Sequence, residues 1–174
     1  MKKIYFLLLI VITSLLEAQI ITFPDSNFKA KLLSANTTNG IAKNDAGQNI
    51  VIDVNQNGEI ENTEASQVYR LDFSGITITN ITGISSFSNL KVLKVAELSI
   101  LNLNISSLTN LQTLRLFNLN SITSLSIANF PNLVNLQIIG LYNLNSLSLQ
   151  NLNLLNELTV TNNITLTNQS FSNL

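Results

Sequence analysis

The chain lacks three residue types that carry much of protein chemistry, because it contains no Cys, no His and no Trp. Without Cys there is no disulfide, no thiolate nucleophile or metal ligand, and no lipid-modified Cys. Without His the usual zinc sites and the usual base for a Ser or Thr nucleophile are excluded. We therefore expect the protein not to be an enzyme.

Charge is also scarce. Charged residues make up 11% of the 174 residues and the formal net charge is -1, whereas a soluble domain typically carries roughly 25% charged residues. The only basic run is Lys2-Lys3, which excludes the clustered cations that nucleic-acid binding requires. Hydrophobic residues reach 45%, which is enough for a core.

The N-terminus has the pattern of a signal peptide. Lys2 and Lys3 precede an apolar run over 4–16, which is too short to span a bilayer comfortably. We interpret 1–18 as a signal peptide cleaved after Ala18, and expect a secreted or cell-surface protein that is not an integral membrane protein. A buried N-terminal helix is the alternative.

A repeat begins near Leu71. A pair of the form Leu, any residue, aliphatic recurs in steps of 21 to 22 residues, with another Leu three positions before it. The pairs begin at Leu93, Leu114, Leu136 and Leu158, and a half-period of similar pairs begins at Leu103, Leu125 and Leu147. This is the L-x-x-L-x-L core of a leucine-rich repeat.

The spacing of the apolar residues does not sustain a helical rhythm, and it suits short extended edges joined by tight corners rich in Asn and Ser. One coil cannot bury its own apolar residues, so stacking must supply the core. The sequence therefore predicts a leucine-rich repeat solenoid over 68–174, about 4.5 coils long and incomplete at its C-terminal end. A parallel β-helix is the closer alternative, and a low-complexity segment without a fold is disfavoured by the regular phase.

Residues 19–67 are interpreted as an N-terminal cap. Within 24–34, Asp25 or Ser26 can cap a short helix whose Phe28 and Leu32 share one face. Such a helix would cover the open end of the first coil. Residues 35–49 are rich in turn formers, and we expect a loop there.

Residues 53–64 match the pattern D-x-[DN]-x-[DN]-G-x5-E of an EF-hand-like calcium loop. Calcium prefers several hard oxygen ligands, and Gly58 permits the bend that brings them together. The predicted ligands are the side chains of Asp53, Asn55, Asn57 and Glu64, the backbone carbonyl of Glu59, and Glu61 through water. We expect a structural calcium site with a Kd of roughly 0.1–1 mM; an Asx-rich hairpin without metal is the alternative.

Three segments together resemble exported bacterial leucine-rich repeat proteins of the internalin-like kind. They are FPDSNFKAKLL, the loop IDVNQNGEIENTEA, and VYRLDFSGITITNITGISSFSNLKVL. The resemblance covers 20–174 and implies a secreted or surface-attached module that acts by binding or adhesion. The position that often carries Asn in that family is occupied here by Leu98, Leu119 and Leu141, with Asn163 as the only match, so we do not expect a hydrogen-bonded Asn ladder.

The outward residues of each predicted strand would face the concave side of the solenoid. Lys94, Arg115, Phe117 and Gln137 form the candidate contact patch, because Arg and exposed aromatics are frequent in binding hot spots. An extracellular protein or glycan is the expected partner, and an ordinary solvated surface is the alternative. The opposite half-face offers small polar groups that could pair with sugars: Asn102, Asn104, Ser124, Ser126, Ser146 and Ser148.

Other functions have less support in the sequence. A spacer stalk that carries a missing C-terminal domain is the main alternative, and a carbohydrate-binding module or an enzyme is less favoured. The acids after the calcium loop are scattered, whereas a glycosidase needs a carboxylate pair roughly 5–9.5 Å apart. Phe171 and Leu174 predict an exposed apolar end, so end-to-end self-association is a further expectation.

Overall fold

The computed structural model describes residues 19–174. This range includes the predicted cap and all of the predicted repeats. The predicted signal peptide, residues 1–18, lies outside the described residues.

The described chain is a β-solenoid of about five turns with parallel strands and little helix. The solenoid predicted from the repeat is thus confirmed. In chain order the elements are α1 (Ser26–Leu33), β1 (Ala42–Lys43), α2 (Asn62–Ala65), β2 (Arg70–Ser74), the 3-10 turn Ile84–Ser86, β3 (Val92–Ala96), β4 (Thr113–Phe117), β5 (Ser124–Ala128), β6 (Asn135–Ile139), β7 (Ser146–Gln150), β8 (Glu157–Thr161) and β9 (Asn168–Ser172).

The strands form two sheets on different sides of the coils. The long sheet has the order β1-β2-β3-β4-β6-β8, and the short sheet has the order β5-β7-β9. All pairings are parallel except that of β1 with β2. The half-period at Leu125 and Leu147 therefore corresponds to real strands, whereas the segment that begins at Leu103 forms none.

The repeat period sets the register of the long sheet. Leu71, Leu93, Leu114, Leu136 and Leu158 are successive partners in one column. The first four are fully buried, because each is covered on both sides, Leu71 by the N-terminal cap and the next coil and the other three by two coils. Within each of the strands β2, β3, β4 and β6, buried residues alternate with partly exposed ones.

Each strand from β3 to β9 is followed by a residue in the left-handed backbone conformation, which ends the strand and turns the chain. The residue after each strand has φ between 52° and 72°. These residues are Glu97, Asn118, Asn129, Gly140, Asn151, Asn162 and Asn173. Asn and Gly tolerate this region better than other residues do, which explains why Asn dominates the corners.

Asn side chains also join neighbouring coils. Asn151 Nδ2 donates to Asn129 Oδ1 at 2.8 Å, and Asn173 Nδ2 donates to Asn151 Oδ1 at 2.7 Å. No such stack forms at the Leu98, Leu119 and Leu141 position, where those side chains are buried in the core. The expectation of no Asn ladder holds only at that position, because an Asn ladder does form at the left-handed corner that follows the short sheet.

A second Asn column bonds to the backbone of the preceding coil. Asn89, Asn110 and Asn132 donate through Nδ2 to a carbonyl oxygen one coil earlier, at 2.8–3.0 Å. The acceptors are Ser66, Ser88 and Thr109. Because each bond satisfies a corner carbonyl that no strand partner reaches, the column holds the coils at a constant spacing.

The helix α1 packs on the first coil. Phe28 and Leu32 of α1 are fully buried, and Phe28 packs against Phe73 of β2 with ring centroids 5.2 Å apart. The expectation of a plain loop over 35–49 is incomplete, because β1 lies inside it and pairs antiparallel with β2. This pairing covers an edge of the long sheet that would otherwise be open.

One carboxylate fastens the cap to the first coil. Asp25 Oδ1 caps α1 by accepting from the backbone N–H groups of Asn27 and Phe28, at 2.9 and 3.0 Å. Its Oδ2 accepts from the N–H and hydroxyl of Thr79 and from the N–H of Asn80, at 2.7–3.0 Å. Burial alone would raise the pKa of Asp25, but the donors from Thr79, Phe28 and Asn80 lower it to about 2.

At the other end, the last coil has no coil stacked on it within the described chain. Leu158 is 40% exposed and Phe171 is 46% exposed, although their equivalents one coil earlier, Leu136 and Leu149, are fully buried. The exposed apolar end expected from the sequence is therefore present in the described residues.

The column around Leu136 allows a matched test of the packing. Leu136→Ala should lower the free energy of unfolding by roughly 2–5 kcal/mol, because it opens a cavity in a closed core. Leu158→Ala, in the same column of the last coil, should cost about 1 kcal/mol or less because less surface is buried there. Urea denaturation measures both values, and equal losses would contradict this account of stacking.

Asp25 should make stability depend on pH in a specific window. Its folded pKa of about 2 lies below the ordinary 3.8, so its contribution is present above pH 4 and is lost as the pH falls toward 2. Asp25→Asn should destabilise the protein by roughly 1–3 kcal/mol at pH 7. The difference from the wild type should shrink between pH 4 and pH 2.

Asp45→Asn is the control for this measurement, because Asp45 is an exposed acid paired with Lys91. Its small effect should change little over the same window, since surface ion pairs contribute little. A difference for Asp25→Asn that stays constant down to pH 2 would show that its charge is not what holds the cap.

Candidate functional site

The loop predicted to bind calcium is wrapped tightly around its first residue. Gln56 and Gly58 adopt positive φ, 59° and 78°, which turns the backbone inward. The N–H groups of Asn57 and Gly58 then donate to Asp53 Oδ1 and Oδ2, at 3.1 and 3.0 Å. Asn55 Oδ1 accepts from the N–H of Asn57 at 3.0 Å. The oxygens of Asp53 and Asn55 therefore face the interior of the loop.

Glu64 closes the loop from α2. Its Oε1 accepts from the N–H of Val54 at 2.7 Å, and its Oε2 accepts from the N–H of Glu61 at 3.2 Å. One carboxylate thus reaches both ends of the loop, as expected for the last position of a calcium-type loop. Glu64 is buried, which makes its charge costly unless a donor or a cation compensates it.

Glu61 lies beside Glu64 and is buried as well. It accepts from Asn57 Nδ2 at 2.7 Å and from Asn55 Nδ2 at 3.3 Å. The hydrogen bond with Glu64 lowers the pKa of Glu61, whereas burial and then that same bond raise the pKa of Glu64. Ionisation of one carboxyl group therefore opposes ionisation of the other. A cation between them would relieve the repulsion.

Glu59 behaves differently from the other predicted ligands. Its side chain leaves the loop and forms an ion pair with Lys29 of α1, with Nζ 2.7 Å from Oε1. Only its backbone carbonyl remains for a cation, which is the role that the loop pattern gives it. No local motif signals this contact between residues thirty positions apart, so the sequence alone does not indicate it.

The loop is also built into the cap through its backbone. The N–H of Ile21 donates to the carbonyl of Ile60 at 2.9 Å, and the N–H of Asn62 donates to the carbonyl of Gln19 at 3.0 Å. Ile52, directly before the loop, and Ile60, within it, lie in the core. These contacts attach the loop directly to the rest of the cap.

The side-chain oxygens that the loop could offer to a cation are of two kinds, carboxylate and amide. Within residues 19–174 there is no group of three or more His, Cys, Asp or Glu side chains that could hold a metal ion. The carboxylates of Asp53, Glu61 and Glu64 are thus not arranged as a metal-binding group by themselves, and the other side-chain oxygens of the loop are the amides of Asn55 and Asn57. A cation here would depend on amide and backbone oxygens, which suits a hard ion of high coordination number such as calcium.

The second candidate site is the outward side of β2, β3, β4, β6 and β8, here called the long-sheet face. The register places Lys94, Arg115 and Gln137 side by side on β3, β4 and β6. Phe117 lies two residues beyond Arg115, between Ala96 and Ile139. The four residues of the predicted contact patch are therefore neighbours, with strands about 4.8 Å apart.

Charges on the long-sheet face are unevenly paired. Asp72 contacts both Lys94, at 3.2 Å, and Arg70, at 3.3 Å. Lys94 Nζ also lies 6.0 Å from the ring centre of Phe117, at the limit of a cation–π contact. Arg115 has no acidic partner within residues 19–174, and its buried Nε has no hydrogen-bond partner.

The small polar residues proposed for sugar binding do not share one surface. Ser124 and Ser126 lie on β5 and Ser146 and Ser148 lie on β7, where they form two short columns. Asn102 and Asn104 belong to a segment without a strand and line a separate cleft of about 620 Å³. The six residues therefore form two groups.

No helix within residues 19–174 is long and apolar enough to cross a bilayer.

Comparison of the sequence with known proteins finds no relative: no protein family matches the chain, and no curated protein matches it either.

Proposed function

We propose that the protein is a secreted or cell-surface leucine-rich repeat module that binds an extracellular partner, with a structural calcium site in its N-terminal cap. The observation that carries this proposal is the long-sheet face. There a regular scaffold places Lys94, Arg115, Phe117 and Gln137 next to one another on adjacent strands. A rigid sheet that presents an Arg and an aromatic side chain together is well suited to recognising a partner.

The leucine-rich repeat assignment rests on the early coils. They follow the L-x-x-L-x-L pattern, carry one strand each, and return through irregular segments that include the 3-10 turn Ile84–Ser86. The later coils add β5, β7 and β9, which gives them a cross-section closer to that of a parallel β-helix. We propose a leucine-rich repeat in which the return segment of the later coils has become extended.

Calcium would stabilise the cap in this proposal. The ligands would be Asp53, Asn55, Asn57 and Glu64, with the Glu59 carbonyl and with Glu61 through water. The bound ion would neutralise the adjacent carboxylates of Glu61 and Glu64, which are buried together. A weak site of this kind suits the millimolar calcium of an extracellular setting, which agrees with export through the proposed signal peptide.

A thermal melt in calcium and in EDTA tests the calcium site. With a Kd near 0.5 mM, 5 mM calcium should add about 1.4 kcal/mol of stability, or roughly 3–5 °C in Tm for a chain of this size. Glu64→Gln should abolish the increase, whereas Glu97→Gln, which changes an exposed acid outside the loop, should keep it. An unchanged Tm in the wild type would reduce the loop to an Asx-rich turn.

Binding through the long-sheet face is tested by a screen of the full chain against extracellular proteins and glycans. Gln137→Trp should weaken binding to any ligand found by at least about tenfold, because it places a bulky, uncharged side chain in the centre of the face. Ser126→Trp, the same kind of change on the short sheet, should leave binding unaltered. If both variants bind like the wild type, the alternative of a spacer stalk gains support.

A further inference from the structure

The geometry points to Arg115 as the centre of a carboxylate-binding site, and to an acidic segment of a partner protein as the ligand. The segment would place a carboxylate on Arg115 and an adjacent apolar side chain on Phe117 and Ile139. This inference rests on the proposed function, because it names the chemistry that the long-sheet face would recognise.

Arg115 is the cation on this face whose charge the protein does not compensate. Its Nε is buried without a hydrogen-bond partner, and no acidic side chain of residues 19–174 lies within 4 Å of the guanidinium. A buried donor without a partner costs free energy in the isolated protein. The two Nη atoms of Arg115 are not buried, and no hydrogen bond within the described residues uses them. They are open to a ligand carboxylate, whose two oxygens match the planar guanidinium.

The neighbouring charges direct an anion to Arg115 and not to Lys94. Lys94 and Arg70 share the single carboxylate of Asp72, whereas Arg115 contacts no acid among residues 19–174. On the other side Gln137 adds an amide that can donate to the same carboxylate, since it is the direct partner of Arg115 on β6. The middle of the face therefore offers one uncompensated charge with a neutral donor beside it.

Acidic side chains border the site on both sides. Glu97 is exposed at the corner after β3, and Glu157 of β8 contacts Asn135 of β6 through a hydrogen bond. These negative charges oppose polyanions such as nucleic acids and sulfated glycans, because a ligand dense in charge would meet them together with Arg115. A ligand with a single carboxylate, or a few spaced ones, avoids the repulsion.

An apolar row runs beside the cation. Ala96, Phe117 and Ile139 are register partners at the carboxyl-terminal ends of β3, β4 and β6, and all three are partly exposed. Aliphatic groups on both sides of one aromatic ring fit an apolar side chain better than a sugar, which needs polar partners around its ring. The combination favours an acidic peptide segment over an acidic glycan.

A displayed library of random dodecapeptides, sorted against the full chain, tests the inference directly. Binders should be enriched in Asp or Glu next to an aromatic or aliphatic residue. A synthetic peptide from the best group should bind the wild type at least about tenfold more tightly than its version with Gln or Asn in place of each acid. Arg115→Gln should remove this preference, and Arg115→Lys should retain part of it.

Lys91→Gln is the matched control, because it removes one positive charge at a residue paired with Asp45 instead of on the face. It should leave the peptide affinity within about twofold of the wild type. Unchanged Tm values would show that the Arg115 variants are folded. Arrayed polygalacturonate and heparin provide the glycan arm of the experiment.

Three results would overturn the inference. They are binders without enrichment in acids, equal affinity for the acidic and amide peptides, and selective binding to the acidic glycans with no peptide enrichment. If the chain binds other ligands on the long-sheet face while Arg115→Gln has no effect, the carboxylate site fails and the proposed binding function survives. If neither peptides nor any screened ligand binds, both fail.

Discussion

The structure depends on one constraint: a coil of 21 to 22 residues cannot bury its own apolar side chains, so each coil must stack in register on the next. Leu71, Leu93, Leu114 and Leu136 meet this constraint in a single buried column. The constant spacing in sequence becomes a constant spacing in space. The same register that fills the core also places Lys94, Arg115 and Gln137 in one outward row, so the candidate binding face is a consequence of the packing.

A stack of this kind requires a first coil that is held in place, and two sets of polar contacts hold it. Asp25 joins α1 to the loop at Thr79 and Asn80, while Lys29 joins the same helix to the candidate calcium loop through Glu59. Both contacts converge on α1, whose Phe28 packs on the core. We propose that calcium acts at this point: by relieving the repulsion between Glu61 and Glu64 it would strengthen the cap on which the stack is built.

The period and the apolar positions made the coils, the α1 helix and the outward residues of the long sheet predictable, because burial follows directly from residue type and spacing.

Other features were not predictable for physical reasons. The strand β1 is short and depends on its partner β2, and the Lys29–Glu59 pair joins distant parts of the chain. The Asn129–Asn151–Asn173 ladder has a sequence signal, since each Asn stands two residues after an apolar residue at a spacing of 22, but its role depends on the left-handed corner. Within the candidate calcium loop, the spacing in the sequence identified the residues that lie close together. The burial of Glu61 and Glu64 and the interaction between their carboxyl groups could be recognised only in the three-dimensional structure.

The central claim, that stability comes from registered stacking on both sides of a coil, is tested most directly by native-state hydrogen exchange resolved to individual strands. Amides of β4 and β6, which have coils on both sides, should exchange slowest and with the free energy of global unfolding. Amides of β8 and β9, which lie at the exposed end, should open with a much lower free energy. Equal protection from β2 to β9, or lower protection in β4 and β6 than in β8 and β9, would contradict the account.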